Sequence, residues 1–268
     1  MLKNSVLRCL YKSYPLRRGK RFLRSFFKYI SGYVIIEDDD KNILLLNLDN
    51  YIDSKIYLEG SYEEININIL KKICSNVNCD YFIDIGANLG IYTVNFSKES
   101  YIKECYSFEP DPQNYAQLSA NVFLNNIGHK VKMFNCALSD VTQEGTLFLE
   151  KEKKDIDLYK CNAGTHSLEE NKNRHNDKIK VKVFRGDELL DIKNQTICIK
   201  IDVEGHELSV LKGLERKLVL NNTILMIEIF DDKFKETIKY LESIGFKIDT
   251  SVNMSGVNYL LKNFDFNA

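Results

Sequence analysis

Two short segments of the sequence combine residue types that could bind a ligand and act on it. In the first, Gly86 permits a sharp turn after an apolar run, and Gly90 lets the next element pack closely. Backbone N–H groups of such a turn face a ligand, and Asp84 could meet an ammonium group. The G-x-x-x-G spacing, with Asn88 inside it, differs from the G-x-G-x-x-G of pyrophosphate-binding turns. It favours a zwitterionic amino-acid tail as ligand, the alternative being a turn that binds nothing.

An acidic residue ends the next apolar run. Glu109 lies 19 residues after Gly90, where an acid accepts both hydroxyls of a ribose in dinucleotide-binding folds. Its spacing from the glycine turn therefore predicts a ribose contact. The alternative is an exposed acid at a strand end.

The second segment, residues 200–207, concentrates ionisable groups after another apolar run. Side chains alternate along a strand, so Lys200, Asp202 and Glu204 should share one side while the strand lasts. Such groups are costly to bury unless they are paired or functional. Asp202, Glu204 and His206 are the candidate catalytic residues. A structural pair between Lys200 and a carboxylate is the alternative.

Three further residues are candidates for binding a substrate. Glu228 ends the following apolar run and could face the second segment, and His166 and Ser167 lie in a long polar insertion. A free surface histidine is the alternative for His166 and for His206. A divalent cation on the 202–206 segment could orient a diol, but the spacing does not require one. We therefore predict no metal site.

The elements that must position these residues alternate between apolar strands and helices. This pattern predicts a doubly wound, mostly parallel, Rossmann-like α/β sheet with a small N-terminal extension. An insertion at about 141–190 should lie over the carboxyl edge, where ligands bind in such sheets. The predicted strands are 33–36, 43–46, 81–85, 105–109, 131–137, 197–202 and 224–229, with an antiparallel C-terminal pair at 246–249 and 258–262. The predicted helices are 62–74, 92–98, 114–125, 206–218 and 233–244.

Charge is unevenly distributed along the 268 residues. Residues 1–30 carry nine of the 37 basic residues and no acidic one, although the formal net charge is −1. We predict a basic arm with short strands at 1–50 and a main domain at 51–268. The arm is either a peripheral membrane anchor or a helix docked on the domain. Nucleic acid is not expected as a partner because the main domain is acidic. The sequence does not indicate an oligomeric state.

Cysteine usage and hydropathy indicate the compartment. The seven cysteines form no C-x-x-C pair, so reduced thiols are expected rather than a zinc site. No apolar run reaches the ~18 residues of a membrane span. We predict a cytoplasmic chain, with the arm as a possible contact to the inner membrane surface.

In order along the chain, several segments resemble the FkbM family of methyltransferases. The resemblance covers roughly residues 51–262. It is carried by Ile56–Glu63, Asp84–Thr93, Phe108–Pro110, Ala137–Asp140, Asn162–Leu168, Ile199–Glu207 and Leu211–Gly213.

The resemblance implies a class I fold, S-adenosylmethionine as cofactor and O-methylation as the usual reaction. Acceptors in the family are often sugars of glycans, polysaccharides or glycosylated metabolites, or macrolide-type metabolites. Asp202 is the first candidate for positioning or deprotonating the acceptor. The residues that should hold the methionine part are Asp84, Gly86, Asn88 and Gly90, with Glu109 on the ribose and Ala137 and Leu138 near adenine.

Competing interpretations remain at this stage. The chain could bind S-adenosylmethionine without catalysis, as a scaffold or regulator at a membrane. A nicotinamide-dependent oxidoreductase is disfavoured by the glycine spacing. Nucleic-acid methylation is disfavoured by the acidic domain and by the lack of an N-P-P-[YF] tetrapeptide.

Overall fold

The computed structural model describes residues 31–149, 163–170 and 177–265. The basic arm at 1–30, and with it the predicted membrane contact, lies outside the described residues. So do residues 150–162, which include Asn162, and residues 171–176 of the insertion. None of the helices within the described ranges is long and apolar enough to cross a membrane.

The described residues form three sheets and a set of short to medium helices. The strands are β1 Tyr33–Glu37, β2 Ile43–Asn47, β3 Tyr81–Ile85, β4 Glu104–Phe108, β5 Val131–Phe134, β6 Ala137–Ser139, β7 Gln143–Phe148, β8 Lys178–Arg185, β9 Thr196–Ile201, β10 Asn222–Glu228, β11 Lys247–Ile248 and β12 Asn258–Lys262. The α-helices are α1 Tyr51–Glu59, α2 Glu64–Asn76, α3 Ile91–Ser97, α4 Pro112–Leu124, α5 Gly186–Leu189, α6 Glu207–Gly213, α7 Glu215–Leu220 and α8 Asp231–Ser243.

The main sheet has seven strands in the order β11-β12-β10-β9-β3-β4-β5. The strands from β10 to β5 are parallel, and β12 runs antiparallel to β10 and β11. Phe82, Ile83 and Ile85 of β3 are buried, as expected for a strand covered on both faces. The predicted α/β class and the antiparallel C-terminal strands are confirmed.

The third predicted strand, 131–137, is divided between two sheets. β5 ends at Phe134 in the main sheet, whereas β6 begins at Ala137 and pairs with β8. Asn135 lies between them, and its side-chain amide donates to the carbonyls of Glu109 and Pro110 at 2.8 and 3.2 Å. These hydrogen bonds lie where the chain turns out of the main sheet. The apolar pattern of residues 131–137 runs on without a break, so it did not predict this turn.

The insertion contains regular structure that its polar sequence concealed. β7 and β8 form an antiparallel pair, and with β6 they make a three-stranded sheet. Val181 and Val183 of β8 pack with Leu147 and Ala137 in a small apolar cluster. The predicted helix at 206–218 is likewise two helices, α6 and α7. A Cβ on Gly213, at the end of α6, would lie 1.9 Å from the carbonyl oxygen of Ser139.

The described chain divides into two compact units. Among the described residues, one unit comprises 31–62 and 163–165, and the other comprises 63–149, 166–170 and 177–265. In the first, β1 and β2 pair as the predicted antiparallel strands, and α1 follows where only short strands were expected. All residues of the site below belong to the second unit. The predicted boundary at residue 50 stays a prediction.

Candidate active site

The functional edge of the main sheet is formed by three adjacent strands that end together. β4, β3 and β9 are parallel neighbours, so the turns after Phe108, Ile85 and Ile201 lie side by side. The Gly86 N–H donates to the Phe108 carbonyl and the Asp202 N–H to the Ile85 carbonyl, each at 3.0 Å. Strand order reverses at β3, which is where ligands bind in open α/β sheets.

We expect Gly86→Ala to destabilise the protein by more than about 2 kcal/mol. A Cβ there would lie 1.8 Å from the Asp202 carbonyl oxygen, and φ is +80°. Gly245→Ala is the matched control, because its φ is +93° with nothing within 4 Å of the added Cβ. The free energy of unfolding of this control should fall by only about 1 kcal/mol. Urea unfolding measures both free energies, and equal losses would contradict the close approach of the two turns.

Asp84 is buried near the end of β3 with one oxygen satisfied. Its Oδ2 accepts from the N–H and the hydroxyl of Thr93 at 3.1 and 2.7 Å. Burial raises the pKa of Asp84, and the charge of Lys200 opposes the rise. Asp84 Oδ1 is also buried, and within the described ranges it has no hydrogen-bond partner.

Glu109 contacts the glycine turn directly. Its Oε2 accepts the N–H of Asn88 at 2.7 Å and its Oε1 accepts the N–H of Asp111 at 2.9 Å. Burial raises the pKa of Glu109 to about 7, although these two N–H groups favour the ionised form. The side chain of Asn114 also favours the ionised form, and the two carboxylate oxygens have further capacity to accept from a ribose diol. Asn88 Oδ1 is buried and has no partner among the described residues.

Lys200 is the cation at the centre of this edge. Its Nζ donates to Asp202 Oδ2 at 3.0 Å and to the Gly86 carbonyl at 3.3 Å, and lies 5.1 Å from the Tyr92 ring centroid. Burial alone would lower the pKa of Lys200, but Asp202 and Asp84 outweigh it and raise that pKa. The Asp202 side chain is 26% exposed against 7% for Lys200. Lys200 thus fixes one Asp202 oxygen while the carboxylate still reaches the surface.

Two more carboxylates lie near Asp202. Glu63 accepts the phenol hydrogen of Tyr92 at 2.6 Å, and its φ of 52° is unusual for a non-glycine residue. Burial raises the pKa of Glu228 to about 7, and the charges of Asp202 and Glu63 add to the rise while Lys200 opposes it. The part of the edge around Asp202 therefore holds more acidic than basic side chains.

The loop after β9 does not continue the alternation of the strand. Glu204 has φ 56° and Gly205 has φ 102°, so the chain turns here. The Gly205 N–H donates to Glu207 Oε1 at 2.8 Å, and Glu207 is buried. Lys200 and Asp202 remain together as predicted from the spacing, whereas Glu204 belongs to the turn.

His206 has a partner for each ring nitrogen. Its Nε2 lies 2.9 Å from the Ser139 hydroxyl oxygen, and its Nδ1 lies 2.7 Å from Glu169 Oε1. The ring is therefore held between β6 and the insertion. Its predicted catalytic role stays a prediction, and the geometry favours a role in positioning the loop.

The insertion returns to the site at residues 166–169. The Ser167 hydroxyl donates to the Glu204 carbonyl at 2.8 Å, and Ser167 is buried. His166 Nδ1 lies 2.8 Å from Asp111 Oδ2 without the alignment of a hydrogen bond. Burial would raise the pKa of Asp111, but His166 and the N–H groups of α4 lower it overall.

The remaining predicted cofactor contacts are structural in part. Gly90 precedes α3 with φ 89°, and a Cβ there would lie 2.4 Å from the Leu118 side chain. Ala137 and Leu138 are buried in two different apolar clusters. Their predicted contact with adenine stays a prediction.

Sequence reasoning missed three residues of this region: Glu63, Asp111 and Glu169. Their contacts span 29, 55 and 37 positions along the chain. Only Glu63 gave a signal, because it ends the Ile56–Glu63 segment. Asp111 also caps α4, accepting the N–H of Gln113 at 2.7 Å.

The buried acceptors fit S-adenosylmethionine. Asp84 Oδ1 and Asn88 Oδ1 need donors. The Glu109 carboxylate can accept further hydrogen bonds. An ammonium group and a ribose diol supply donors of this kind. For a metal, no group of three or more His, Cys, Asp or Glu side chains in the described part of the chain is arranged to hold an ion.

The family and the curated relatives that this chain matches are methyltransferases. Residues 84–248 match the family described as Methyltransferase FkbM domain. Methyltransferase sdnD of Sordaria araneosa is 27% identical over 200 residues, covering 63% of this chain and 74% of that protein. Methyltransferase 1 of Beauveria bassiana (strain ARSEF 2860) is 25% identical over 218 residues, covering 73% of this chain and 83% of that protein.

Solved structures with a similar fold include methyltransferase FkbM from Methylobacillus flagellatus KT. It is 18% identical with a TM-score of 0.48, and the match covers 69% of this chain and 44% of that one. This chain thus spans less than half the length of that protein. M. jannaschii TYW2 in complex with AdoMet is 13% identical with a TM-score of 0.41, covering 87% of this chain and 84% of that one.

The doubly wound sheet, its glycine turn and the acid after β4 define a methyltransferase of the class I, Rossmann-like type. More specifically, the chain belongs to the FkbM methyltransferase family, because the model of that family's domain matches more than half of the chain.

Proposed function

We propose that this chain is an S-adenosylmethionine-dependent O-methyltransferase that acts on a hydroxyl of a sugar in a glycan, polysaccharide or glycosylated metabolite. The observation that carries the proposal is the position of Asp202. Its carboxylate is anchored by Lys200 at 3.0 Å, beside the glycine turn, and remains partly exposed. A base at this place can act on an acceptor next to the cofactor.

Named residues would hold the cofactor. Asp84 and Asn88 each offer a buried acceptor oxygen at the glycine turn, and Glu109 offers its carboxylate to the ribose. Close packing at Gly86 and Gly90 keeps the turn narrow. When bound, S-adenosylmethionine supplies an electrophilic methyl group on its sulfonium.

Asp202 takes the proton of the acceptor hydroxyl as its oxygen attacks. Such a general base contributes typically ~10²–10⁴-fold to rate, and alignment of the acceptor contributes more. Lys200 holds one oxygen of the Asp202 carboxylate in place at 3.0 Å. Ser167, Glu204 and His206 hold the loop that follows Asp202, so that the base has a fixed position.

The acidic side chains around Asp202 favour a neutral polyhydroxyl acceptor. Asp202, Glu63 and Glu228 accept hydrogen bonds from hydroxyl groups when ionised, and they repel phosphate or carboxylate acceptors. Sugars of the kind implied by the FkbM family satisfy both conditions. Within the described ranges nothing favours the alternative of a membrane scaffold, and its basic arm lies outside them.

A methylation assay tests the proposal. The purified chain is incubated with S-adenosylmethionine and panels of neutral sugars and glycosides, with phenols, amines and sugar phosphates as competing classes. We expect S-adenosylhomocysteine to form when a neutral sugar is present. The sugar should carry a methyl group in place of the hydrogen of one hydroxyl, which mass spectrometry detects. Turnover confined to amines would contradict O-methylation, and turnover confined to phenols or sugar phosphates would contradict a neutral sugar acceptor.

Affinity for S-adenosylmethionine should depend on pH through Glu109. Its pKa in the free protein is about 7, and ribose hydroxyls favour its ionised form. Binding should therefore weaken below pH 7, with the Kd about tenfold higher at pH 6 than at pH 8. Calorimetric titration across this range measures the effect. Glu109→Gln should remove this dependence, and an unchanged slope in that variant would assign it to another group.

The same shift has the opposite effect on the stability of the free fold. Burial raises the pKa of Glu109 above its value in the unfolded chain. The contribution of Glu109 to the free energy of unfolding is therefore fully present below about pH 4.5 and is lost as pH rises through about 7. Ligand affinity and free-state stability should therefore change in opposite directions in this window.

A further inference from the structure

The part of the insertion at 166–169 is fastened to the site by two side chains. Ser167 bonds the Glu204 carbonyl at 2.8 Å, and Glu169 Oε1 lies 2.7 Å from His206 Nδ1. The Ser167 N–H and carbonyl also bond with Phe148 of β7 at 3.2 and 2.8 Å. The neighbouring His166 is therefore presented at a defined place and not on a free loop.

His166 lies on the nucleoside side of the site. Its ring nitrogen Nδ1 is 2.8 Å from Asp111, whose own N–H donates to Glu109 Oε1 at 2.9 Å. Glu109 in turn accepts the N–H of Asn88. A chain of short contacts thus runs from the insertion through the proposed ribose acid to the glycine turn.

Both ring nitrogens of His166 are buried, and neither makes a hydrogen bond within the described residues. Nδ1 lies 2.8 Å from the carboxylate of Asp111. Buried polar atoms in folded proteins almost always have a partner. A carboxylate next to Nδ1 favours the tautomer with its proton on that nitrogen, which leaves Nε2 as an acceptor.

We propose that His166 is a cofactor-binding residue, which the insertion contributes to the nucleoside end of the site. Its Nε2 accepts a hydrogen bond from a ribose hydroxyl or from the adenine amino group. This inference rests on the proposed function and assigns His166 to the cofactor, where the sequence suggested the acceptor. Residues 166–169 of the insertion then border the nucleoside end of the cofactor, and acceptor recognition falls to Asp202, Glu63 and Glu228.

Calorimetric titration of two ligands tests the proposal. S-adenosylmethionine is compared with 5′-methylthioadenosine, which has the nucleoside but no amino-acid end. His166→Asn keeps a polar atom near Nδ1 and removes Nε2, so both ligands should bind about five- to tenfold more weakly. His166→Gln places its amide near Nε2 and should retain most of the affinity. His129→Asn, at an exposed histidine, is the matched control.

The outcomes are distinct. A folded His166→Asn variant with wild-type affinity for both ligands would overturn the inference and leave the proposed function intact. Loss for S-adenosylmethionine alone would move the contact to the amino-acid end and also overturn it. A wild-type chain that binds neither ligand would refute the proposed function and this inference together.

A spectroscopic measurement follows the His166 ring in the wild-type chain itself. The imidazole nitrogens of His166 are observed in ¹⁵N–¹H spectra and assigned by their loss in His166→Gln or His166→Asn. Addition of 5′-methylthioadenosine should shift the Nε2 resonance in the direction of an accepted hydrogen bond. An unchanged Nε2 resonance at saturating ligand would overturn the inference.

Discussion

Replacing Glu109 with alanine should reduce the affinity for S-adenosylmethionine by about 10²–10⁴-fold. Two charge-assisted hydrogen bonds to the ribose would be lost, each worth roughly 1.5–3 kcal/mol. The N–H groups of Asn88 and Asp111 would also lose their acceptor, which loosens the glycine turn. Calorimetric titration at pH 8, where Glu109 is ionised in the wild type, measures the loss.

Two companion variants make this result specific. Glu109→Gln keeps one carbonyl oxygen for the turn, so its affinity should lie between those of the wild type and the alanine variant. Glu104→Ala removes an acid from the other end of β4, where Glu104 pairs with Lys132 at 2.9 Å. Such surface pairs contribute little, so cofactor affinity should not change. A Glu109→Ala variant that binds as tightly as the wild type would refute the ribose assignment.

Conversion of Asp202 to asparagine should lower turnover by about 10²–10⁴-fold while the Kd for S-adenosylmethionine stays near the wild-type value. The amide has the shape of the carboxylate and can still accept from Lys200, but it cannot take the acceptor proton. The backbone N–H of Asp202, which donates to the carbonyl of Ile85 at the end of β3, is unchanged by this substitution. Initial rates at saturating acceptor, with calorimetry of the same variant, separate the two effects.

A matched control checks that the loss is local. Asp191→Asn changes an exposed aspartate outside the functional edge and should leave both turnover and cofactor affinity unchanged. Wild-type turnover in Asp202→Asn would end the candidacy of Asp202 as base. A parallel loss of cofactor affinity would instead indicate that Asp202 supports the glycine turn.

The sequence by itself determined the fold class and the sheet edge that carries the central residues of the candidate site. The apolar runs at β3, β4 and β9 are long enough to be read as buried strands, and the candidate site residues lie at or just after the end of each strand. Parallel strands bring their carboxyl ends to one edge, so local patterns were sufficient to bring Asp84, Glu109 and Asp202 together. The strand pattern also predicted the antiparallel C-terminal pair, which the structure shows as β11 and β12.

Only the tertiary structure decided how the insertion meets this edge. Its polar residues contain β7 and β8, and they pair with β6 after Asn135 turns the chain out of the main sheet. The contacts of His166 with Asp111 and of Glu169 with His206 join residues far apart in the chain. Hydrophobic periodicity reports which face of an element is buried. It carries no information about which distant polar side chain will be its partner, because that depends on the packing of the folded chain.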